Sequence, residues 1–146
     1  MRKTDLIVTD LPSYGTAKIR CVINAPSGTA SLGTFVFGNQ QYIGNGMEIG
    51  DSSGIQSYTV KTRDAFGNFV MTKRSYSNWA KYNISVEPEQ SDAVKALLTS
   101  LRDTLCLWVG IPTYTQTAIY GFPKDFSIVF KYHRLHTCSL EIEGIT

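Results

Sequence analysis

The chain has 146 residues, of which 42% are hydrophobic and 18% charged, and its formal net charge is +2. That length suits one domain, residues 1–146, with a sizeable core, and the balance is that of a globular rather than a disordered chain. The charge is too small to mark a nucleic-acid or acidic-membrane binder, and no basic run exceeds a pair, as at Arg2-Lys3 and Lys73-Arg74.

Twelve glycines, eight tyrosines, seven phenylalanines and two tryptophans predict many turns and many strands. The apolar stretch Leu6-Ile-Val8 is too short for a signal-peptide core. No segment approaches the roughly 20 apolar residues that span a bilayer, so a soluble protein made in the cytosol is expected. Cys21, Cys106 and Cys138 are odd in number, widely spaced and set in apolar strand patterns, which predicts three free, buried thiols. Asn83-Ile-Ser85 matches a glycosylation sequon, which has no meaning without secretion.

In chain order, residues 16–23 alternate, with Ala17, Ile19, Cys21 and Ile23 on one side and Lys18 and Arg20 on the other, which predicts a half-buried strand. Gly33-Thr-Phe-Val-Phe-Gly38 reads as a short apolar strand. Residues 38–54 are the most turn-rich stretch, anchored by Tyr42-Ile43, Met47 and Ile49, and form a candidate contact loop. Residues 55–63 and 68–74 read as a hairpin joined by Asp64-Ala-Phe-Gly-Asn68. Ala80, Tyr82, Ile84 and Val86 alternate with polar residues in a further strand, which Glu87-Pro88 stops.

Proline at a first turn, with Glu89 and Asp92 beside it, is a good helix opening, because the missing N–H was an orphan donor anyway and carboxylates suit the helix dipole. Val94, Leu97, Leu98, Leu101 and Leu105 follow helical spacing and predict one amphipathic helix over about 88–104. Cys106-Leu-Trp-Val109 then reads as a buried strand and 110–117 as a second contact loop. Tyr120-Gly-Phe-Pro123 punctuates the chain before Phe126, Ile128, Phe130 and Tyr132 alternate. A turn at 133–136 leads to a final strand through Cys138, Leu140 and Ile142, and the chain stops close behind it. Chain ends fray unless tied down, so a strand there predicts an end committed to a sheet or a neighbour. The expected fold is α+β: a mostly antiparallel sheet, small barrel or sandwich with one helix against it.

His133-Arg-Leu-His136-Thr-Cys138 is the one cluster of metal-capable side chains, but a tetrahedral zinc site needs a further pair that is missing, so solvated turn histidines are expected. No Gly-x-Ser-x-Gly elbow occurs, and Gly44-Asn-Gly46 lacks the lysine of a phosphate loop. Glu141 and Glu143 share a strand face about 7 Å apart, a spacing open to acid–base work but commoner on a solvated or partner-facing strand. Tyr76, Trp79, Tyr114 and Tyr120 lie near strand ends or loops, where a sugar could stack. These features predict no catalytic residue and no cofactor, with Tyr42, Ile43, Tyr114, Tyr120, Glu141 and Glu143 as interface candidates.

The stretch Trp79-Ala-Lys-Tyr-Asn-Ile-Ser-Val-Glu-Pro88, the helix, Tyr120-Gly-Phe-Pro-Lys-Asp-Phe-Ser-Ile-Val129 and Cys138-Ser-Leu-Glu-Ile-Glu-Gly-Ile-Thr146 resemble small tail or baseplate proteins of tailed bacteriophages, including the component called the ripcord. The resemblance covers the C-terminal half. It implies a non-enzymatic building block of the virion tail, assembled in the host cytoplasm without disulfides. Its partners would be other tail or baseplate proteins, tube, hub and sheath-side, in a symmetric ring, with neither nucleic acid nor membrane. Association would run through exposed strand edges, the two loops and the strand carrying Glu141 and Glu143. The alternatives are a carbohydrate-binding β-domain and a small hydrolase, the latter requiring a pocket with a histidine and a carboxylate.

Overall fold

The computed structural model describes residues 6–9, 11–12, 15–132 and 134–145, with residue 132 described by its backbone alone. The chain divides into two compact units, Met1–Gln41 and Tyr42–Thr146. Among the described residues the first unit holds turns but no helix or strand, so the strands expected over 16–23 and 33–38 do not form. Alternation makes such segments amphipathic, but a strand exists only where a neighbour accepts its backbone hydrogen bonds. Ile19, Val22 and Phe37 stay exposed at 56%, 70% and 74%. Cys21 is exposed as well, which corrects the expectation of three buried thiols; Cys106 is half-buried and Cys138 buried.

The second unit contains β1 (Gly46–Met47), β2 (Ser52–Ser57), β3 (Val60–Arg63), β4 (Phe69–Thr72), β5 (Tyr76–Val86), α1 (Ser91–Leu101), β6 (Cys106–Val109), β7 (Ala118–Tyr132) and β8 (Leu135–Gly144). All ladders are antiparallel. One sheet runs β1-β5-β8-β7-β6, with β2 beside β1 on the outer edge of β5, while β3 and β4 form a separate ribbon. The fold of this unit is therefore β-rich α+β, a curled half-barrel sheet with, among the described residues, one short α-helix.

The last strand lies inside the sheet rather than at its edge, which corrects its reading as an exposed contact strand. β5 occupies one side of β8 and β7 the other. Its inward residues Cys138, Leu140 and Ile142 are 0%, 1% and 0% exposed. They face Ile84, Tyr82 and Ala80 across one ladder and Ile128, Phe126 and Pro123 across the other. Val94 and Leu98 of α1, with Trp108 and Ile119, complete this core. The indole N–H of Trp108 donates to the Gly121 carbonyl at 3.1 Å, so the buried polar edge of the ring is satisfied.

β7 is one continuous strand of 15 residues, where Tyr120-Gly-Phe-Pro123 was expected to interrupt the chain. The ladder to β8 slips between Pro123 and Asp125, leaving Lys124 as an extra residue. Proline has no N–H to give the ladder and settles at a bulge, and one inserted residue reverses which side chains face inward. Before the slip the inward set is odd-numbered, Ile119 to Pro123; after it the set is even-numbered, Phe126 and Ile128. The expected 55–63 strand is likewise divided: β2 belongs to the main sheet and β3 to the ribbon.

The helix is shorter than the expected 88–104. Pro88–Gln90 form a 3-10 turn before Ser91, and Thr104 N–H closes a turn onto the Leu101 carbonyl at 2.9 Å, which leaves Leu105 outside the helix and 45% exposed. Curling of the sheet is visible where Tyr82 of β5 donates its hydroxyl to the Thr117 carbonyl, 2.7 Å away beyond β6. A Cβ at Gly110 would stand 2.9 Å from the Tyr82 ring and 3.0 Å from the Met47 methyl, so only glycine admits this approach. Burial, helped by the charge of Asp51, pushes the Tyr82 phenol up to about 12.

Leu98 is 0% exposed and joins the helix to the sheet. Leu98→Ala is expected to lower stability by about 2–4 kcal/mol in urea unfolding with an unchanged denaturant slope; an unmoved midpoint would contradict this packing.

Candidate functional site

Two features at opposite ends of the main sheet stand out: an exposed ribbon and a small cavity. The first is the β3–β4 ribbon. Each of its strand residues is exposed, with Phe69 at 62% and Met71 at 63%. Register places Val60, Thr62, Val70 and Thr72 on one face, and Lys61, Arg63, Phe69 and Met71 on the other. The Arg63 guanidinium stands 5.0 Å from the centre of the Phe69 ring, a cation–π contact. Lys61, Arg63, Lys73 and Arg74 against Asp64 make this arm more cationic than the whole chain.

The arm is held firmly at both ends. At the tip, one Asp64 carboxylate oxygen accepts the Phe66 and Asn68 N–H groups at 2.9 and 2.7 Å, and the other accepts the Asn68 side-chain amide at 3.0 Å. Gly67 takes φ +86°, open to glycine at little cost. The side-chain bond from Asn68 comes first among the contacts that hold the Asp64 carboxyl below its ordinary 3.8. Phe66 is thereby presented at the tip, 91% exposed. At the base, the Tyr58 hydroxyl donates to Glu143 at 2.7 Å and sits 2.9 Å from Ser77 Oγ.

The second feature lies where α1 begins. A cavity of about 210 Å³ is lined by Ser91, Asp92, Lys95, Ile128 and Phe130. Two of its lining side chains, Ile128 and Phe130, are apolar, and Phe130 is 73% exposed, edge-on to the His136 ring at 4.6 Å. Ser91 Oγ stands 2.7 Å from His136 Nδ1 and 3.2 Å from the Glu87 carbonyl. A hydroxyl has one proton, so both contacts are hydrogen bonds only if the serine donates to the carbonyl and the imidazole N–H donates to the serine. In that arrangement His136 Nδ1–H is the donor, and the pair ties the helix to the sheet. His136 belongs to β8 rather than to a turn, which corrects the expected placement, and His133 lies outside the described residues.

The six expected interface residues are not gathered into one surface. Tyr42 is 84% exposed, whereas Ile43 packs partly against the core. Tyr114 is 61% exposed in the β6–β7 loop, and Tyr120 is half-buried in β7 opposite Leu107. Glu141 and Glu143 do come together, on the outer sheet face, through Lys124 of the bulge at 3.2 and 3.9 Å. The Glu141 contact leads in holding the lysine ammonium above its usual range. Trp79 is half-covered, and a Cβ at Gly54 would stand 3.0 Å from its indole nitrogen. Phe66 and the cavity were absent from the expected set; the cue to Phe66 was an aromatic inside a turn sequence otherwise made of small and polar residues.

Among the described residues, no group of three or more His, Cys, Asp or Glu side chains is placed to hold a metal ion. No protein-family model matches this chain, and no curated protein matches its sequence.

Because the folded Asp64 carboxyl is held below 3.8, the tip order it supports is complete above that pH and is lost as pH falls through the lower folded value. The Phe66 and Asn68 amide resonances are expected to move together below pH 3.8 and to sit at their low-pH positions at all pH values in Asp64→Ala. A tip unaffected by either change would remove the carboxylate from its role.

Proposed function

We propose that this chain is a structural component of a bacteriophage tail, a baseplate or tail-tip connector that joins tube or hub to sheath-side proteins. The reading begins from the likeness of the 79–88, 120–129 and 138–146 segments to small tail proteins. The observation that supports it best is the arm: a two-stranded ribbon with its phenylalanines and methionine in solvent. An isolated pair of strands is barely stable in water, and exposed apolar patches mark contact sites. Its ordered tip and its base, tied through Tyr58, reduce the freedom that docking must remove, which favours association.

Strand-edge pairing has a more limited place than the sequence implied. β8 is enclosed, so in the main sheet the sides without a strand neighbour among the described residues are those of β6, of β1 and β2, and of β7 beyond Gly121. The tail role therefore rests on the arm, the 110–117 loop with Tyr114, and those edges. The mechanism is docking, and it requires no bond-making step.

Replacing residues 60–72 by a short flexible linker removes the arm without touching the main core. Such a variant is expected to keep its circular dichroism and melting behaviour but to fail to co-sediment with tail particles in a lysate of phage-infected cells. Particle incorporation equal to that of the intact chain would overturn the assignment of the arm as the assembly contact.

A further inference from the structure

Resting on that assembly reading, we infer that the arm's partner is a second copy of this chain: Phe66 of one copy seats in the cavity between α1 and β7 of the next, head to tail. The two features fit in chemistry. Phe66 is an aromatic knob at 91% exposure on an ordered turn, and the cavity of about 210 Å³ has Ile128 and Phe130 in its lining. Charge agrees. The arm carries Lys61, Arg63, Lys73 and Arg74 against the single Asp64, while the chain leading into the cavity, Glu87-Pro-Glu-Gln-Ser-Asp92, holds three carboxylates and no cation. The lining itself holds one charge of each sign, Asp92 and Lys95, and Lys131 and Arg134 follow Phe130 in the chain, so the complementary charge is that of the 87–92 segment.

A copy does not fill its own cavity: Phe66 is 91% exposed and is not among the residues that line it. The arm leaves the sheet beside Ser57 and Tyr76, whereas the cavity lies at the level of His136, which pairs with Val86. Ten strand steps from Tyr76 to Val86 span about 34 Å, and the nine steps from Ser57 to Phe66 reach about 31 Å at most. The knob is therefore free to meet the hole of a second molecule. The two patches differ, so the contact is heterologous: it propagates from copy to copy and ends only when a ring closes.

That geometry has a distinctive test. Phe66→Asp removes the knob and Lys95→Trp fills the rim of the hole; both positions are exposed, so both variants are expected to keep the parent circular dichroism. By sedimentation velocity and light scattering over about 1–100 µM, the parent chain is expected to self-associate, and each variant to do so about thirtyfold more weakly, as for an anchor residue. An equimolar mixture of the two variants is expected to recover one contact and stop at twice the 16.2 kDa monomer mass. A parent that stays monomeric, a variant that associates like the parent, or a mixture without the dimer overturns the inference. A chain that is monomeric alone yet needs its arm to enter particles overturns this inference and leaves the tail role standing.

Discussion

The double pairing of β8 is the constraint on which the rest depends. Cys138, Leu140 and Ile142 can be wholly dry only because β5 and β7 close both sides of the strand and α1 covers the face they form. The same ladders set the outer face, where rows such as Trp79–Glu143–Phe122 and Lys81–Glu141–Asp125 follow from register alone. They also fix the separation of the arm from the cavity, since each is attached to an opposite end of the same two ladders. What lies at the two ends of the sheet is thereby held at a defined spacing by its centre.

Reading the sequence worked where one local rule governs. Residues 80–86 and 138–142 alternate because one face is buried, and they are central strands. Cys106–Val109 was legible as a strand, though it lies at the sheet edge with Trp108 alone buried, where a buried strand was expected. The leucine stripe of α1 was legible too, and the Asp64–Asn68 turn was found from its glycine and asparagine. The rule failed where two effects compete. Pro123 reads as a stop, yet a strand tolerates it at a bulge, and the change from odd to even burial across Lys124 hides the continuity of β7. Residues 16–23 alternate as well as any strand here, but alternation records amphipathicity and says nothing of whether a neighbour exists.

The candidate interface was harder to see than the fold, because exposure is a property of the whole assembly of elements. A turn sequence marks Phe66, but only the finished fold shows that it stays 91% exposed while Phe126 packs against the core. The Ser91–His136 contact is similar. The two residues lie 45 positions apart, and the meeting depends on where α1 lands against the end of β8. Glu141 and Glu143 were singled out as a pair and are one, but their shared partner Lys124 is brought by the bulge, which no spacing rule would have placed.

The contrast between the thiols gives the molecule two built-in clocks. Burial pushes the Cys138 thiol above its ordinary value, and the strand that carries it is bonded on both sides, so an alkylating reagent reaches it only when both ladders open. Cys21, exposed in the other unit, has no such barrier. With the half-buried Cys106 replaced by serine, labelling one chain over time therefore separates a fast event that reports accessible surface from a slow one that reports the opening of the sheet.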